Sequence, residues 1–286
     1  MSITLTINGK TITTEKGKTV LEAAAENGIR IPTLCYYPQI HSIGSCRVCV
    51  VDVEGYSEPQ ASCQLPALDG MAVTTDNEKI AQTRKTMIEL LLVNHPTDCP
   101  ICERSGECSL QNLTMEFGIK EIPFQAKKPE RLKKTDWRLI RYDPNLCILC
   151  ERCIHVCTEL QGFNALKITK QGYNTVIDTV DGKPLACDFC GSCVMACPVG
   201  ALSSTLVLGA RSWELEKVKS VCRHCATGCS FYLNIKKNLI HRVSKDPLSS
   251  NEGQYCKKGF FGFRIKTDER IKTPMIRENG ELRPAS

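Results

Sequence analysis

The sequence predicts an α+β protein made of several small domains, each organised around a group of cysteines. Cysteine accounts for 19 of the 286 residues, and these cysteines are clustered along the chain. Between the clusters, short strand patterns alternate with short helical ones, as in an α+β fold. Aromatic residues make up only 6% of the chain, so we expect bound metal to stabilise it beside a modest apolar core.

The composition excludes several classes of protein. Apolar residues make up 42% and charged residues 24%, as in globular domains, and no apolar run reaches the roughly 20 residues that span a bilayer. Met1–Thr6 lacks the features of a secretion signal, so we expect a cytoplasmic protein with reduced thiols. The formal charge of +6 becomes negative once thiolates hold metal clusters, so no nucleic-acid partner is predicted.

The cysteines divide into five groups with none left over. One group has only three members, and His95 stands four residues before its first cysteine. Thiolates at this density bind zinc or iron–sulfur clusters, and the spacing distinguishes the two. The candidate metal ligands are Cys35, Cys46, Cys49 and Cys63; His95, Cys99, Cys102 and Cys108; Cys147, Cys150, Cys153 and Cys157; Cys187, Cys190, Cys193 and Cys197; and Cys222, Cys225, Cys229 and Cys256.

The first domain is predicted at residues 1–78 as a β-grasp ferredoxin fold that holds a 2Fe–2S cluster. Ile3–Ile7 alternates as a strand, and Asn8-Gly9 is a hairpin turn signal. Thr19 and Glu22 form a capping box that opens a helix. The first gap in C-x10-C-x2-C-x13-C is longer than in plant-type ferredoxins, and Gly44 lets the backbone pass close to an inorganic sulfide. The alternative is a small zinc-binding β domain.

The second domain is predicted at residues 79–126 as a segment in which one histidine and three cysteines hold a 4Fe–4S cluster. Ile80, Met87, Ile88 and Leu91 recur at helical spacing, and this helix delivers His95 to a fixed position. The histidine completes a ligand set that otherwise lacks one member. A neutral imidazole in place of a thiolate is expected to raise the reduction potential.

The third domain is predicted at residues 127–210 as a two-cluster ferredoxin. The pattern C-x2-C-x2-C-x3-C occurs twice at a period of 40 residues, which is the spacing of bacterial two-4Fe–4S ferredoxins. In that arrangement the last cysteine of each run joins the other cluster, so Cys197 completes the first set and Cys157 the second. Lys127–Lys134 is expected to be a solvated basic linker, and a hairpin is expected between the two runs within 163–184. Zinc is disfavoured because its C-x2-C pairs usually lie far apart.

The fourth domain is predicted at residues 211–286 around the spacing C-x2-C-x3-C-x26-C. This spacing suits a fourth 4Fe–4S cluster better than zinc. His224 lies inside the group and is expected to be a loop side chain. Lys258, two residues beyond Cys256, is either a surface lysine or a cofactor-binding side chain that favours the reduced cluster.

In this order, the motifs resemble the N-terminal region of iron-only hydrogenases, of the complex I G-type subunits and of NAD-linked formate dehydrogenase α subunits. The fifth group, with Trp213-Glu214-Leu215 before it and Lys258 after Cys256, resembles the cluster domain of molybdopterin oxidoreductases. The resemblance covers roughly residues 1–275. It implies that Lys258 lies between cluster and pterin in such enzymes, and that a catalytic domain would follow. Since the sequence shows no such domain, we expect this chain to have no catalytic site of its own.

The resemblance implies a multi-cluster electron-transfer subunit of an NAD(P)-linked oxidoreductase complex, with flavin-based bifurcation as one variant of that role. The implied cofactors are one 2Fe–2S and four 4Fe–4S clusters. The implied partners are flavin-bearing NAD(P)H-oxidising subunits like the E and F subunits of complex I, and a terminal catalytic subunit or ferredoxin. The alternatives are the iron–sulfur half of a split molybdopterin formate dehydrogenase, a fragment of a longer enzyme, and a zinc-stabilised interaction protein.

Overall fold

The computed structural model describes residues 1–124, 126–128, 130–207, 209–263 and 271–285, and its mixture of short helices and small sheets confirms the predicted α+β class. The α-helices are α1 (Val20–Glu26), α2 (Glu78–Asn94), α3 (Ser109–Glu116), α4 (Arg152–His155), α5 (Ser192–Ala196) and α6 (Lys257–Phe261). The strands are β1 (Ser2–Ile7), β2 (Lys10–Glu15), β3 (Val50–Val53), β4 (Gln60–Ala61), β5 (Ala72–Thr74), β6 (Ile140–Tyr142), β7 (Leu166–Thr169), β8 (Val176–Thr179), β9 (Leu202–Ser204), β10 (Glu216–Val221), β11 (Ser230–Lys236), β12 (Leu239–Lys245), β13 (Met275–Glu278) and β14 (Glu281–Pro284).

The first sheet has the strand order β2-β1-β5-β3-β4, in which β1 and β5 are parallel. Its hairpin turns at Asn8 and Gly9, whose φ angles are 51° and 75°, because a two-residue turn of this type requires positive φ. Helix α1 begins with the predicted capping box, in which Thr19 and Glu22 satisfy each other's backbone N–H groups. The sheet and α1 enclose a separate apolar core that includes Cys49 and Cys63.

Helix α2 connects this sheet to the rest of the molecule. Ile80 and Ile88 are fully buried on its inner face, and Arg84 Nη2 donates a 2.8 Å hydrogen bond to the carbonyl of Val50 in β3. The helix ends at Asn94, so that His95 is its C-terminal cap. The predicted helix therefore fixes where the His95 backbone leaves the helix.

The two cysteine runs of the third domain lie on short helices and loops beside two small antiparallel pairs, β6–β9 and β7–β8. The β7–β8 hairpin confirms the one expected between the runs, with Gly172 in its turn, whereas Asp181-Gly182 forms a separate 3-10 turn after β8. The basic linker is only partly solvated: Lys134 exchanges backbone hydrogen bonds with Tyr142, and the Lys133 ammonium pairs with Asp143 at 2.9 Å. Pro129 of that linker lies outside the described residues.

The C-terminal part contains the antiparallel meander β10-β11-β12, helix α6 and the hairpin β13–β14. Phe231, Tyr255 and Phe260 belong to one continuous apolar core that also includes residues of α2, α3 and the third domain. The last three domains are therefore packed together. Within the part of the chain that the structure describes, no helix has the length and apolar character needed to cross a membrane.

Candidate metal centres

All 19 cysteines lie within the described residues and carry free thiols. They are brought together in five places, each of which combines ligands from one or two of the sequence groups. Among these described cysteines none is paired in a disulfide, which agrees with the expectation of reduced thiols.

The first centre is closed within the first domain. Its four cysteines, Cys35, Cys46, Cys49 and Cys63, are all buried, and the backbone N–H of Cys46 approaches Cys35 Sγ at 3.5 Å. Hydrogen bonding between the Cys46 and Cys35 thiols holds the pKa of Cys35 below its usual range, and the same contact raises the pKa of Cys46. Gly44 has a φ of +71°, and a Cβ there would overlap the side chain of Gln64. The glycine is thus required by this turn and by Gln64.

The second centre surrounds a cavity of about 500 Å³ that is lined by His95, Cys99, Cys102 and Cys108 together with basic side chains. His95 is 8% exposed, and burial lowers the pKa of its imidazole, against a hydrogen bond to the backbone of Leu146 that raises it. Its Nδ1 atom is buried and has no partner among the described residues. Metal-binding histidines typically use one ring nitrogen as the ligand and tie the other to a backbone carbonyl or carboxylate. The neutral imidazole of His95 therefore suits a ligand in this cavity.

The third and fourth centres exchange their last cysteines. One cavity is lined by Cys147, Cys150, Cys153 and Cys197, and a separate one by Cys157, Cys187, Cys190 and Cys193. The structure thus brings together the sets that the ferredoxin spacing predicts. Apolar side chains, including Ile177 and Val199, complete the third cavity and exclude water from it.

The two loops of these centres repeat one backbone conformation. In the first run Leu149 and Glu151, on either side of the second cysteine, have φ angles of 52° and 61°. The equivalent Phe189 and Gly191 in the second run have φ angles of 55° and 79°. Left-handed residues next to right-handed ones turn successive N–H groups toward one point, which is the geometry of anion and iron–sulfur sites. In agreement, the N–H of Leu149 lies 3.4 Å from Cys147 Sγ. This backbone, together with four thiols at each centre, fits a 4Fe–4S cluster.

Burial governs the thiol chemistry of these centres. It raises the pKa of Cys153 and Cys193 well above the usual value for a thiol. Without metal these side chains are therefore neutral near pH 7, and binding of metal must release their protons.

The fifth centre is the most open of the five. Cys222 is buried, Cys229 is partly buried, and Cys225 and Cys256 are exposed. A hydrogen bond with Thr227, and secondarily the positive charge of Lys258, lower the pKa of Cys225. The predicted lysine therefore lies close enough to influence this centre, while His224 is an exposed loop residue as expected.

Neighbouring centres are joined by direct contacts. Arg152, between two ligands of the third centre, donates to the carbonyl of Tyr36 at 2.5 Å and to that of Ala196 at 3.4 Å. These two residues are next to Cys35 and Cys197, so one guanidinium links the first and third centres. Between the second and third centres, a Cβ on Gly200 would lie 3.2 Å from Cys102 Sγ. Sequence reasoning missed Arg152, because its spacing from Cys150 and Cys153 reveals nothing about Tyr36.

The fourth and fifth centres meet through aromatic side chains. The ring of Phe260, in α6, packs against Gly191 so closely that a Cβ at that glycine would overlap it. The ammonium of Lys257 lies 5.5 Å from the centroid of the Phe189 ring. All five centres are therefore connected in one packed structure, with the third at the branch point.

Comparison with known families matches four segments of the chain. Residues 1–78 match a 2Fe–2S cluster-binding domain, and residues 84–123 match the NADH-ubiquinone oxidoreductase-G iron–sulfur binding region. Residues 138–203 match the ferredoxin-like domain of NADH-quinone oxidoreductase subunit 3, and residues 215–266 match the Fe4S4 domain of molybdopterin oxidoreductases. These matches confirm the predicted kinds of domain and define an iron–sulfur protein with 2Fe–2S and 4Fe–4S domains.

Similar proteins cover the whole chain. It is 44% identical over 277 residues to the NADPH-Fe(3+) oxidoreductase subunit alpha of Geobacter sulfurreducens, and 41% identical over 291 residues to a G-type subunit of the NADH-quinone oxidoreductase of Rhizobium meliloti, the second of that name. These alignments include 96% and 99% of the chain but 33% and 34% of the relatives. The chain therefore spans about a third of the length of these relatives.

A solved structure extends the likeness to three dimensions. A chain of the NAD+-reducing NiFe hydrogenase in the H2-reduced state is 35% identical, with a TM-score of 0.66, and the match covers 71% of this chain and 87% of that one. The chain thus belongs to the family of iron–sulfur subunits that includes the G-type subunits of NADH-quinone oxidoreductase and this hydrogenase chain. The predicted resemblance is confirmed at that level.

Proposed function

We propose that the chain is a multi-cluster electron-transfer subunit of an NAD(P)-linked oxidoreductase complex. The observation that carries the proposal is the use of every cysteine: 19 thiols and His95 meet in five sets of four, and adjacent sets are in contact. A protein that needed metal only for stability would not require neighbouring centres to touch. When bound, the clusters supply reversible one-electron oxidation and reduction.

The proposed content is one 2Fe–2S cluster on Cys35, Cys46, Cys49 and Cys63, and four 4Fe–4S clusters on the other sets. His95 would bind through Nδ1, its one unpartnered ring nitrogen among the described contacts. The chain's own residues set the properties of each centre. The imidazole of His95 makes the second centre less negative, backbone N–H groups donate to ligand sulfurs, and burial excludes water from the third and fourth centres.

The proposed partners are flavin subunits that oxidise NADH or NADPH, like the E and F subunits of complex I, together with a terminal subunit or ferredoxin. This part rests on the family, because relatives include subunits of NADH-quinone oxidoreductase and of a hydrogenase. A flavin is needed between a two-electron nucleotide and one-electron centres. Cytoplasmic location is proposed from the free thiols.

Reduction by nucleotide tests this function directly. Anaerobic holoprotein is mixed with NADH or NADPH, with and without the flavin subunits, and its visible absorption is followed. We expect bleaching only when the flavin subunits are present. Rapid bleaching by the nucleotide alone, or none with the flavin subunits, would contradict the proposal.

Lys258 is proposed to tune the fifth centre. Its charge contributes to lowering the pKa of Cys225, and a nearby cation favours the more negative reduced state of a cluster. Lys258→Gln should lower the reduction potential of this centre. Lys257→Gln is the matched control, because its ammonium faces the Phe189 ring. Equal potentials in the Lys258 variant and the parent protein would leave it a surface residue.

A second candidate is the iron–sulfur half of a molybdopterin formate dehydrogenase. It is favoured by the match of residues 215–266 to the Fe4S4 domain of molybdopterin oxidoreductases and by the position of Lys258. Molybdenum or tungsten in the complex purified with its native partners would support this candidate. A complex without either metal, yet active with NAD(P)H, would favour the first.

A further inference from the structure

One cluster of metal-binding side chains lies outside the five centres. His41, His155 and Glu159 each offer one ligand atom, and these atoms all lie within 4.8 Å of one another. Nδ1 of His41 is 2.5 Å, and Nδ1 of His155 is 2.9 Å, from the same oxygen, Oε1 of Glu159. We propose that these three side chains form a binding site for a divalent transition metal, with Zn²⁺ as its preferred ion.

The donor set is the first argument. Two neutral imidazoles and one carboxylate are a ligand combination that Zn²⁺ adopts when it keeps one position for water. Magnesium and calcium prefer oxygen ligands, so nitrogen donors favour a metal such as zinc. The side chain of His41 is 56% exposed, which provides an entry path for the ion.

The surroundings orient these ligands. The backbone N–H of His41 donates to Oε2 of Glu159 at 3.0 Å, so that Oε1 is the oxygen facing both imidazoles. Nε2 of His155 lies 3.7 Å from Oε2 of Glu151. A carboxylate on the remote ring nitrogen of a ligating histidine is the usual outer partner of metal sites, where it fixes the tautomer and ring orientation.

The backbone also favours a functional site. Glu159 belongs to a π-helical turn, Val156–Leu160, that follows α4. Such turns are rare and occur frequently at functional sites. Beneath the polar cluster, Ile40 packs against Val156 and Ala196 in a buried apolar contact, which holds the loop of His41 against the helix.

The position of the site suggests what the ion does. His41 lies in the loop between Cys35 and Cys46 of the first centre, whereas His155 lies between Cys153 and Cys157, ligands of the third and fourth centres. An ion bound here connects the first and third domains across 118 residues of sequence. It therefore acts as a clamp on the interface between neighbouring cluster domains.

Zinc binding to the anaerobic holoprotein tests this proposal. The protein is dialysed against buffered micromolar Zn²⁺, and bound zinc, iron content and zinc X-ray absorption are measured. We expect one zinc per chain with nitrogen and oxygen ligands and an unchanged iron content. His41→Ala and Glu159→Gln should abolish this binding, Glu151→Gln should weaken it by about 10- to 100-fold, and the exposed Glu58→Gln control should leave it unchanged.

Amide exchange provides a second readout of the clamp. Zinc should slow hydrogen exchange of the loop around Ile40 in the parent protein but not in His41→Ala. Equal zinc binding by the parent and both ligand variants, zinc coordinated by sulfur, or no binding at all would overturn the proposal. In those cases the three side chains serve only as a hydrogen-bonded contact between domains.

Discussion

Gly191 should control how closely the fourth and fifth centres approach each other, and Gly191→Ala is the perturbation that tests this. The residue has a φ of +79°, and a Cβ there would overlap the ring of Phe260 in α6. An alanine in the left-handed region costs about 1–2 kcal/mol. Overpacking of a tight contact costs about 1–3 kcal/mol more. Only the second contribution acts on α6, because it is relieved by moving Phe260.

Hydrogen exchange of α6 separates the two contributions. The amides of Phe260 and Gly262 bond to the carbonyls of Cys256 and Lys258 at 3.0 and 2.9 Å. If the contact destabilises α6 by about 1–3 kcal/mol, exchange of these amides accelerates by about 5- to 160-fold.

Gly172→Ala is the matched control for backbone strain. Its φ is +58°, and a Cβ there would meet no atom within 4 Å, so exchange in α6 should not change. Iron content is measured in both variants to show that the clusters are retained. Unchanged exchange of α6 in Gly191→Ala would refute the packing argument. In that variant we also expect slower reduction of the fifth centre.

Three further predictions concern the ligands and their surroundings. His95→Ala should remove the signal of one 4Fe–4S cluster from the electron paramagnetic resonance spectrum, whereas His224→Ala should not; an unchanged spectrum would exclude His95 as a ligand. Thr227→Val removes the hydrogen bond at Cys225 and should lower the potential of the fifth centre by about 20–65 mV, if that bond is worth about 0.5–1.5 kcal/mol; an equal or higher potential would contradict this. Because burial raises the pKa of Cys153, reconstitution of the metal-free chain should be faster at pH 8.5 than at pH 6.5, measured by the rise in visible absorption, and a flat profile would count against proton release.

The sequence was sufficient to predict features that depend on local spacing. The Asn8-Gly9 hairpin and the Thr19 capping box follow from short-range chemistry, and both are present. The crossed sets that exchange Cys157 and Cys197 follow from a repeated motif, and the structure brings those side chains together. Whether they are ligands remains a prediction.

Features that join distant segments could not be predicted in this way. The bonds of Arg152 to Tyr36 and Ala196, and the packing of Phe260 on Gly191, depend on how domains dock. The spacing of Glu151, His155 and Glu159 on one helical face was visible in the sequence, but His41 approaches them only in the folded chain. Gly44 was assigned to a close approach to sulfide, whereas the structure shows a left-handed turn against Gln64.

Iron and acid-labile sulfide in anaerobically purified protein test the central claim most directly. One 2Fe–2S and four 4Fe–4S clusters require about 18 iron atoms and about 18 sulfides per chain. Zinc at the cysteines in place of iron, or a colourless protein without sulfide, would contradict the account and leave an interaction protein stabilised by zinc.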